Sequence, residues 1–510
     1  MSLRIDIALH SGVRRSSGVS VWHRRGNRVI SMQSTLPIYH TSLDWDAFFA
    51  EYPVPDVFER TVYRWPRDKL RAFQNRRFMR LVEIGWKNEF YRRRWEAAGV
   101  KPGDIRSIDD IARLPSYTSD DVKTDQQENP PFGLFHGAGR GLLKSMPLKV
   151  QTSGGTTGKP RATLYGPVDW EMNGLTLARA MYIQGVRPGD VVQIPATCSL
   201  ANLGWCVYKA CHDYLGVLPL TTGSGIVTSS RRQVEIAFDW GANVWCSFPE
   251  YFTQLAKVSR DELGRDIREL RTKSLHSFLG PDIDNSLRKQ LEELWGCDVY
   301  DLYGTNEMGG AGFECGHKNG VHVMEDCIFL ELEDVETGQP LKEGETGNMV
   351  VTILHRDLPP VIRYNVRDLA RIVSSETCEC GSSFKRMDKF LGRSDDMVKL
   401  RGVNVYPMAC LPAVKSDVRT TGEWICVAER LTDKGVIRDE MTVRVEVLRG
   451  VESVAGLKEH LEKRLQGDLG VKVGVELVEE GALAEVTNLG REGKAKRLLD
   501  RRFLNKTERD

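Results

Sequence analysis

The segment Gln151-Thr-Ser-Gly-Gly-Thr-Thr-Gly-Lys-Pro160 holds the residue types that wrap a phosphate. Its glycines let backbone N–H groups turn toward oxygen, the hydroxyls of Thr152, Ser153, Thr156 and Thr157 add donors, and Lys159 adds charge. A Walker A loop needs Gly at 153 and Ser or Thr at 160; Ser153 and Pro160 stand there instead, which points to a phosphate grip of another class. Tyr303-Gly-Thr-Asn-Glu307 follows an apolar run, so Glu307 sits where a strand-end carboxylate can hold Mg²⁺ against bound phosphates. In Arg363-Tyr-Asn-Val-Arg-Asp368, Asp368 can accept two vicinal hydroxyls, and the arginines can serve phosphate or fix the loop. Gly392-Arg-Ser-Asp-Asp-Met-Val-Lys-Leu-Arg-Gly402 is charge-dense and bounded by glycines, which suits a hinge beside a nucleotide. Gly493-Lys494 opens a basic stretch near the C-terminus.

These segments need elements to place them. Leu70, Phe73, Phe78, Leu81 and Val82 recur at helical spacing over 67–86. Between 150 and 300, short apolar runs such as Val191–Pro195 and Val244–Phe248 alternate with longer mixed segments. Arg288–Trp295 reads as a helix and Asp298–Tyr303 as the strand after it, so the core is an α/β sheet with buried parallel strands. Residues 321–373 turn strand-rich, as in Asn348–Leu354. In the tail, Met441, Val443, Val445 and Val447 alternate; Val454, Leu457, Leu461 and Leu465 follow at helical spacing up to Gly467; Val471, Val473, Val475 and Leu477 alternate again. That is a second, small α+β unit. The expected division is an N-terminal extension, disordered, over 1–43, a large domain over 44–392, a hinge over 393–401 and a small C-terminal domain over 402–510.

The order and spacing of the five segments resemble the adenylate-forming acyl-CoA synthetases, and most closely their phenylacetate–CoA ligase branch. Phe90-Tyr-Arg-Arg-Arg, Leu114-Pro115, Glu314-Cys-Gly-His-Lys-Asn-Gly-Val-His322, Glu325-Asp326 and Arg401-Gly-Val-Asn-Val-Tyr-Pro407 are similar to that branch too. The resemblance spans roughly residues 58–507. It implies a large multi-sheet N-terminal domain with a small mobile C-terminal one. It also implies ATP-dependent conversion of an aryl or arylacetic acid to an acyl-adenylate, then transfer to coenzyme A with release of AMP and pyrophosphate. By the same resemblance Thr152, Ser153, Thr156, Thr157 and Lys159 grip phosphates, Glu307 binds Mg²⁺, Tyr303 lies near adenine, and Asp368 holds the ribose with help from Arg393. Asp395 is the hinge, and Lys494, rather than its neighbour Lys496, stabilises charge on the attacked phosphate. Two departures stand out. Asn306 replaces the hydroxyl residue usual before the Mg²⁺ glutamate, and Thr487-Asn-Leu-Gly-Arg-Glu replaces the usual Pro-rich approach to the lysine.

Cys315, His317, His322, Cys378 and Cys380 are metal-ligand types. The expected set is Cys315, His322, Cys378 and Cys380 around a structural Zn²⁺, with His322 preferred to His317 because Gly-x-His before Glu325-Asp326 resembles the branch pattern. The resemblance also places the acyl pocket at 196–225, where Trp205, Tyr208, His212 and Tyr214 suit a flat ring, and where Lys209 and His212 are candidates to meet a second carboxylate. One rival reading is an adenylating enzyme that loads a carrier protein instead of coenzyme A. Another is a catalytically silent, zinc-stabilised binding module, which intact Lys159, Glu307, Asp368 and Lys494 argue against.

Composition removes other classes. The 510 residues are 41% hydrophobic and 28% charged, enough for a large core. Seventy-one Lys and Arg against 70 Asp and Glu leave a charge of +1, without the basic excess of a nucleic-acid binder. No apolar run approaches the ~18 residues of a membrane-crossing helix. Eleven scattered Cys point to a reducing, cytoplasmic setting rather than a disulfide scaffold. Residues 1–36 carry six Arg, no Lys and one acid, a composition shared by organellar leaders and by plain extensions; an extension, or a start assigned ahead of Met32, is the reading adopted. The expected partners are the aromatic acid and coenzyme A, with a homodimer left open.

Overall fold

The computed structural model describes residues 36–137, 141–153, 161–280, 282, 285–401, 403–433, 436–451, 453–487 and 496–502. A two-stranded antiparallel hairpin, β1 (Lys149–Ser153) and β2 (Arg161–Tyr165), precedes the main sheet. That sheet has eleven strands: β3 (Val191–Gln193), β4 (Leu218–Leu220), β5 (Val244–Ser247), β6 (Ser274–Ser277), β7 (Asp298–Thr305), β8 (Gly309–Glu314), β9 (Val321–Val323), β10 (Ile328–Glu333), β11 (Thr346–Asp357), β12 (Pro360–Ser374) and β13 (Arg386–Met387). Their spatial order is β10-β11-β12-β13-β9-β8-β7-β6-β5-β3-β4. β3 to β7 pair in parallel, as the alternation of strands and helices requires; from β7 onward the pairing is antiparallel. β5 and β6 are buried along their whole length, which is why they read as continuous rather than alternating apolar runs.

The helix Pro167–Ile183 is the pivot of the packing. Proline at its first position and the Asp169 carboxylate accepting the Gly166 N–H at 3.0 Å start it. Nearly every residue from Pro167 to Met181 is buried, because the helix is covered on several sides. A Cβ on Gly174 would lie 2.6 Å from the Lys209 Cβ on the next helix, Leu203–Lys209, and one on Gly310 would lie 3.2 Å from Leu177. Glycine at these two positions sets how closely the helix meets its neighbours. The helix Arg67–Lys87 covers the strand-rich end with Leu70, Phe78, Leu81 and Val82 inside.

A separate apolar core holds β14 (Val398–Leu400), β15 (Val403–Val405), β16 (Thr420–Asp433), β17 (Val436–Val447), β18 (Gly474–Glu479) and β19 (Leu498–Asp500) with the helix Leu457–Leu469. Val398 and Leu400, inside the stretch read as hinge, are buried in it. Met441, Val443 and Val445 point inward as their alternation predicts. The helix does not stop at Gly467: it runs to Leu469 and ends on Gly470, whose φ of 68° is the left-handed terminator. Val454 lies before it and is exposed. At the other end of the chain, the Tyr39 hydroxyl, within the stretch read as extension, donates to the Glu171 carboxylate, and residues 1–35 lie outside the described set. Among the described residues no helix is long and apolar enough to cross a membrane.

Candidate functional site

The β1–β2 hairpin brings Ser153 opposite Arg161, so the phosphate-type segment closes between two paired strand ends. Thr156, Thr157 and Lys159 lie outside the described residues. Thr152 is fixed from two sides. Its N–H donates to the Leu200 carbonyl at 2.8 Å, and its carbonyl accepts from the Asn306 side-chain amide at 2.7 Å. The loop 196–202 and the turn after β7 therefore meet at the hairpin.

Glu307 sits in that turn, buried. Its carboxylate takes the Arg161 guanidinium on one oxygen and the Thr305 hydroxyl, at 2.9 Å, on the other. Burial works against its charge, but the guanidinium, followed by hydrogen bonds, outweighs burial and holds it below the ordinary carboxylate range. The backbone around it is held as well. The Tyr165 hydroxyl donates to the Asn306 carbonyl, and Arg356 in β11 donates to the Glu307 carbonyl at 2.6 Å and to the Leu164 carbonyl. Arg356 lies 4.5 Å from the centre of the Tyr165 ring.

The second half of the site gathers around Asp368, in the middle of β12 rather than after a strand. The Tyr303 hydroxyl donates to one oxygen of Asp368 at 2.7 Å, and Arg393 donates to the other at 2.8 Å. Burial, and next to it the Asp368 charge, pushes the Tyr303 phenol well above its ordinary range. Arg393 also forks onto Asp395, with both contacts at 2.8 Å. Arg367, left-handed at φ 61°, pairs with Asp120 at 2.7 Å and lies 3.7 Å from Asp395. Arg363 does the other job foreseen for these arginines. It is buried against Glu331, Glu333 and the Leu114 carbonyl, so it fixes the loop.

Glu307, Asn306 and Thr152 thus form one group, and Tyr303, Asp368, Arg393 and Asp395 a second. Lys494 lies outside the described residues. Sequence reading missed Arg161, Arg356, Tyr165 and Thr305. The available signal for Arg356 was an arginine just after the apolar-rich run Asn348–Leu354: it stands in β11, buried from Gly347 through Arg356.

The cysteine set converges elsewhere, at the β8–β9 turn. The ligand atoms of Cys315, His322, Cys378 and Cys380 all lie within 4.8 Å of one another. Cys315 and Cys378 sulfurs are 3.9 Å apart, and the Cys380 sulfur is 3.6 Å from His322 Nε2. The β8–β9 register sets Phe313 opposite His322, and β9–β13 pairing sets His322 opposite Arg386, which carries the 378–380 turn to the imidazole. His317 points away to Glu379 at 3.3 Å. Hydrogen bonding from Cys315, then from His322 and Tyr63, outweighs burial and lowers the Cys380 thiol.

Lys209 does not face an open pocket. It is buried, with its ammonium 3.0 Å from Glu171 and 2.7 Å from Asp213, and the same Glu171 takes the Tyr214 hydroxyl. Its charge is already balanced, so the idea that it meets a second substrate carboxylate falls. His212 is exposed and bonded to Asp213 at 2.7 Å.

Comparison with known proteins identifies the family. The AMP-binding enzyme family matches residues 107–352, and the AMP-binding enzyme C-terminal domain matches residues 402–502. The phenylacetate-coenzyme A ligase of Thermus thermophilus is 30% identical over 455 residues, covering 86% of this chain and 98% of that protein. The phenylacetate-coenzyme A ligase of Aromatoleum evansii is 32% identical over 451 residues, covering 86% and 95%. Among solved structures, 2-hydroxyisobutyryl-CoA ligase in its postadenylation state gives a TM-score of 0.74 at 27% identity, over 86% of this chain and 91% of that one. The same ligase in its thioesterification state gives 0.62 at 29% identity. On these relatives and family models, the chain belongs to the phenylacetate–CoA ligase branch of the AMP-binding enzymes and is an AMP-forming acid–CoA ligase.

Proposed function

We propose that the acid it activates is aromatic. The observation that supports this is the indole wall beside the hairpin. Trp170 and Trp205 stand edge to face at 6.3 Å, Tyr208 follows Trp205 at 6.5 Å, and Trp205 bonds the Ser199 carbonyl in the loop whose Leu200 carbonyl holds Thr152. A flat ring gains most from such a wall, through buried area and edge-to-face contact. The substrate carboxylate attacks the α-phosphorus of ATP. The bond to pyrophosphate breaks, and the acyl-adenylate forms. The coenzyme A thiolate then attacks the acyl carbon and AMP leaves. Thr152, Ser153, Thr156, Thr157 and Lys159 grip phosphate; Glu307 holds Mg²⁺, with Asn306 beside it; Tyr303 borders the adenine; Asp368 and Arg393 hold the ribose. Lys494 stabilises the attacked phosphate, and Asp395 is the pivot between the two half-reactions. A carrier-protein acceptor finds no support among the relatives, which are coenzyme A ligases by name. A coupled AMP-release assay over a panel of aromatic and aliphatic acids, with free coenzyme A, tests the reading. Preference for aryl or arylacetic acids is expected, and a preference for short aliphatic acids overturns it.

A structural Zn²⁺ is the second part of the proposal. Three thiols and one imidazole are a donor set that zinc favours, and a tetrahedron with Zn–S near ~2.3 Å needs sulfur–sulfur edges of roughly 3.8 Å. The Cys315–Cys378 separation of 3.9 Å fits that edge, and His322 Nε2 stands 3.6 Å from the Cys380 sulfur. Zinc there would pin β8, β9 and the 378–380 turn, with no part in the reaction.

A further inference from the structure

Glu171 is buried in the helix Pro167–Ile183, next to Trp170 of the indole wall. Its carboxylate is held by three donors. Lys209 reaches it at 3.0 Å, and the hydroxyls of Tyr214 and Tyr39 donate to it. Lys209 is the one cation in contact with it among the described residues, and that ammonium is shared with Asp213 at 2.7 Å. One positive charge thus serves two carboxylates, so the two phenols supply what the ammonium does not. Tyr214 comes from the same turn as Asp213. Tyr39 stands 132 residues before Glu171, and its oxygen also lies 3.3 Å from the Pro167 carbonyl. Local bonds fix the turn that presents it: the Ser42 hydroxyl donates to the Ile38 carbonyl at 2.8 Å and the Trp45 indole to the His40 carbonyl at 3.2 Å. The resemblance to the ligase branch begins near residue 58, so this donor lies outside it.

The clamp and the wall are one structure. Lys209 ends the helix Leu203–Lys209, which carries Trp205 and Tyr208, and its ammonium lies 5.6 Å from the centre of the Trp170 ring. On the far side of Asp213, the bonded His212 ring stacks on Tyr208 at 5.3 Å with the planes 11° apart. The helix runs on into a π-helical turn, Ala210–Leu215, a rare form that is frequent at functional sites. We propose that Tyr39 is a positioning residue of the acid site: through Glu171 and Lys209 it holds the helix that carries Trp205 and Tyr208 against Trp170, and so sets how these rings face an aryl group. The inference rests on the reading of that wall as acid-binding. It makes the turn at Tyr39 part of what selects the acid, acting through Glu171 rather than on the substrate itself.

The test uses the full chain and the aromatic acid that the wild type prefers in the AMP-release assay. Tyr39→Phe removes the hydroxyl and keeps the ring. Its KM for that acid should rise about fivefold to tenfold, the loss of one charge-assisted hydrogen bond from a carboxylate that keeps two other donors. Its kcat should stay within about twofold and its KM for ATP should not move, because the clamp lies behind the wall and touches neither Glu307 nor Asp368. A residue that only held the fold together would shift all three constants or none. Tyr39→Phe and Glu171→Gln should be non-additive in KM for the acid, since both remove the same hydrogen bond. If Glu171→Gln does not fold, Tyr214→Phe replaces it in the cycle, and the same non-additivity is expected through the shared carboxylate. An unchanged KM for the acid in folded Tyr39→Phe, an equal rise in KM for ATP, or strictly additive effects overturns the inference. A wild type that prefers short aliphatic acids overturns the aromatic reading instead, and that result is seen before any variant is made.

Discussion

Arg356 donates to the main-chain carbonyl of Glu307 at 2.6 Å, and with its other arm it holds the carbonyl of Leu164. A side chain from β11 thereby fixes the distance between the metal-type glutamate and the phosphate hairpin. Arg356→Ala takes a donor from each of two carbonyls, at about 1–3 kcal/mol for each one left unsatisfied. It should lower the melting temperature. It should also slow pyrophosphate release by about a hundredfold, the order expected when a reacting group shifts by about an ångström. Arg356→Lys can serve one carbonyl only and should fall between. Stopped-flow adenylation with melting curves on the same preparations checks this; a destabilised Arg356→Ala with normal adenylation would remove the positioning role.

Lys494→Ala should reduce acyl-adenylate formation by about 3 kcal/mol of transition-state stabilisation, the usual loss of one preorganised charge. Thioester formation from supplied acyl-adenylate should persist. Lys496, whose N–H is tied to the Thr487 carbonyl at 2.8 Å, is the control, and Lys496→Ala should be mild. Measuring the two half-reactions separately decides it, and equal loss in both would reject Lys494 as the adenylation lysine.

Metal analysis of protein prepared without chelators should find about one equivalent of zinc. Cys378→Ser with Cys380→Ser should lose it and melt earlier. His317→Ala, outside the cluster, should keep it. Zinc-free protein in which the three cluster thiols titrate freely, with a melting point that the double substitution leaves unchanged, is the contrary result.

Asp301 gives a pH signature. Burial, then the nearby Glu314 charge, raises its carboxyl from 3.8 to about 8. The fold therefore prefers the protonated acid. Its contribution to stability is complete below the unfolded value, near 3.8, and is lost as pH rises through about 8. Asp301→Asn, which keeps the shape and the acceptor for the Leu279 N–H, should be flatter across that window. The slope removed is at most about 1.4 kcal/mol per pH unit. Melting temperatures of both proteins from pH 5 to 9 test it, and parallel curves would show that Asp301 ionises in the fold at its ordinary value.

Much of this enzyme is written locally. The Gly- and Thr-rich segment at 151–160, the alternation of strands with helices, and the tail's strand–helix–strand pattern depend on neighbours within a few residues, so they can be read from order alone. The choice of His322 over His317 was legible from its resemblance to a branch pattern, and in the fold the β8–β9 register puts His322 beside the three thiols. What spacing could not hold were partnerships between distant strands. Arg161 finds Glu307 across 146 residues, and Arg356 finds Leu164 across 192. Lys209, read as a cation open to substrate, is spent on Glu171 and Asp213, because helix packing at Gly174 buries it. A buried charge must be matched, and its match is whichever group the sheet order brings alongside. Residue order shows which chemistry is available; the packing of distant strands and helices settles which charges are already paired and which are left for substrate.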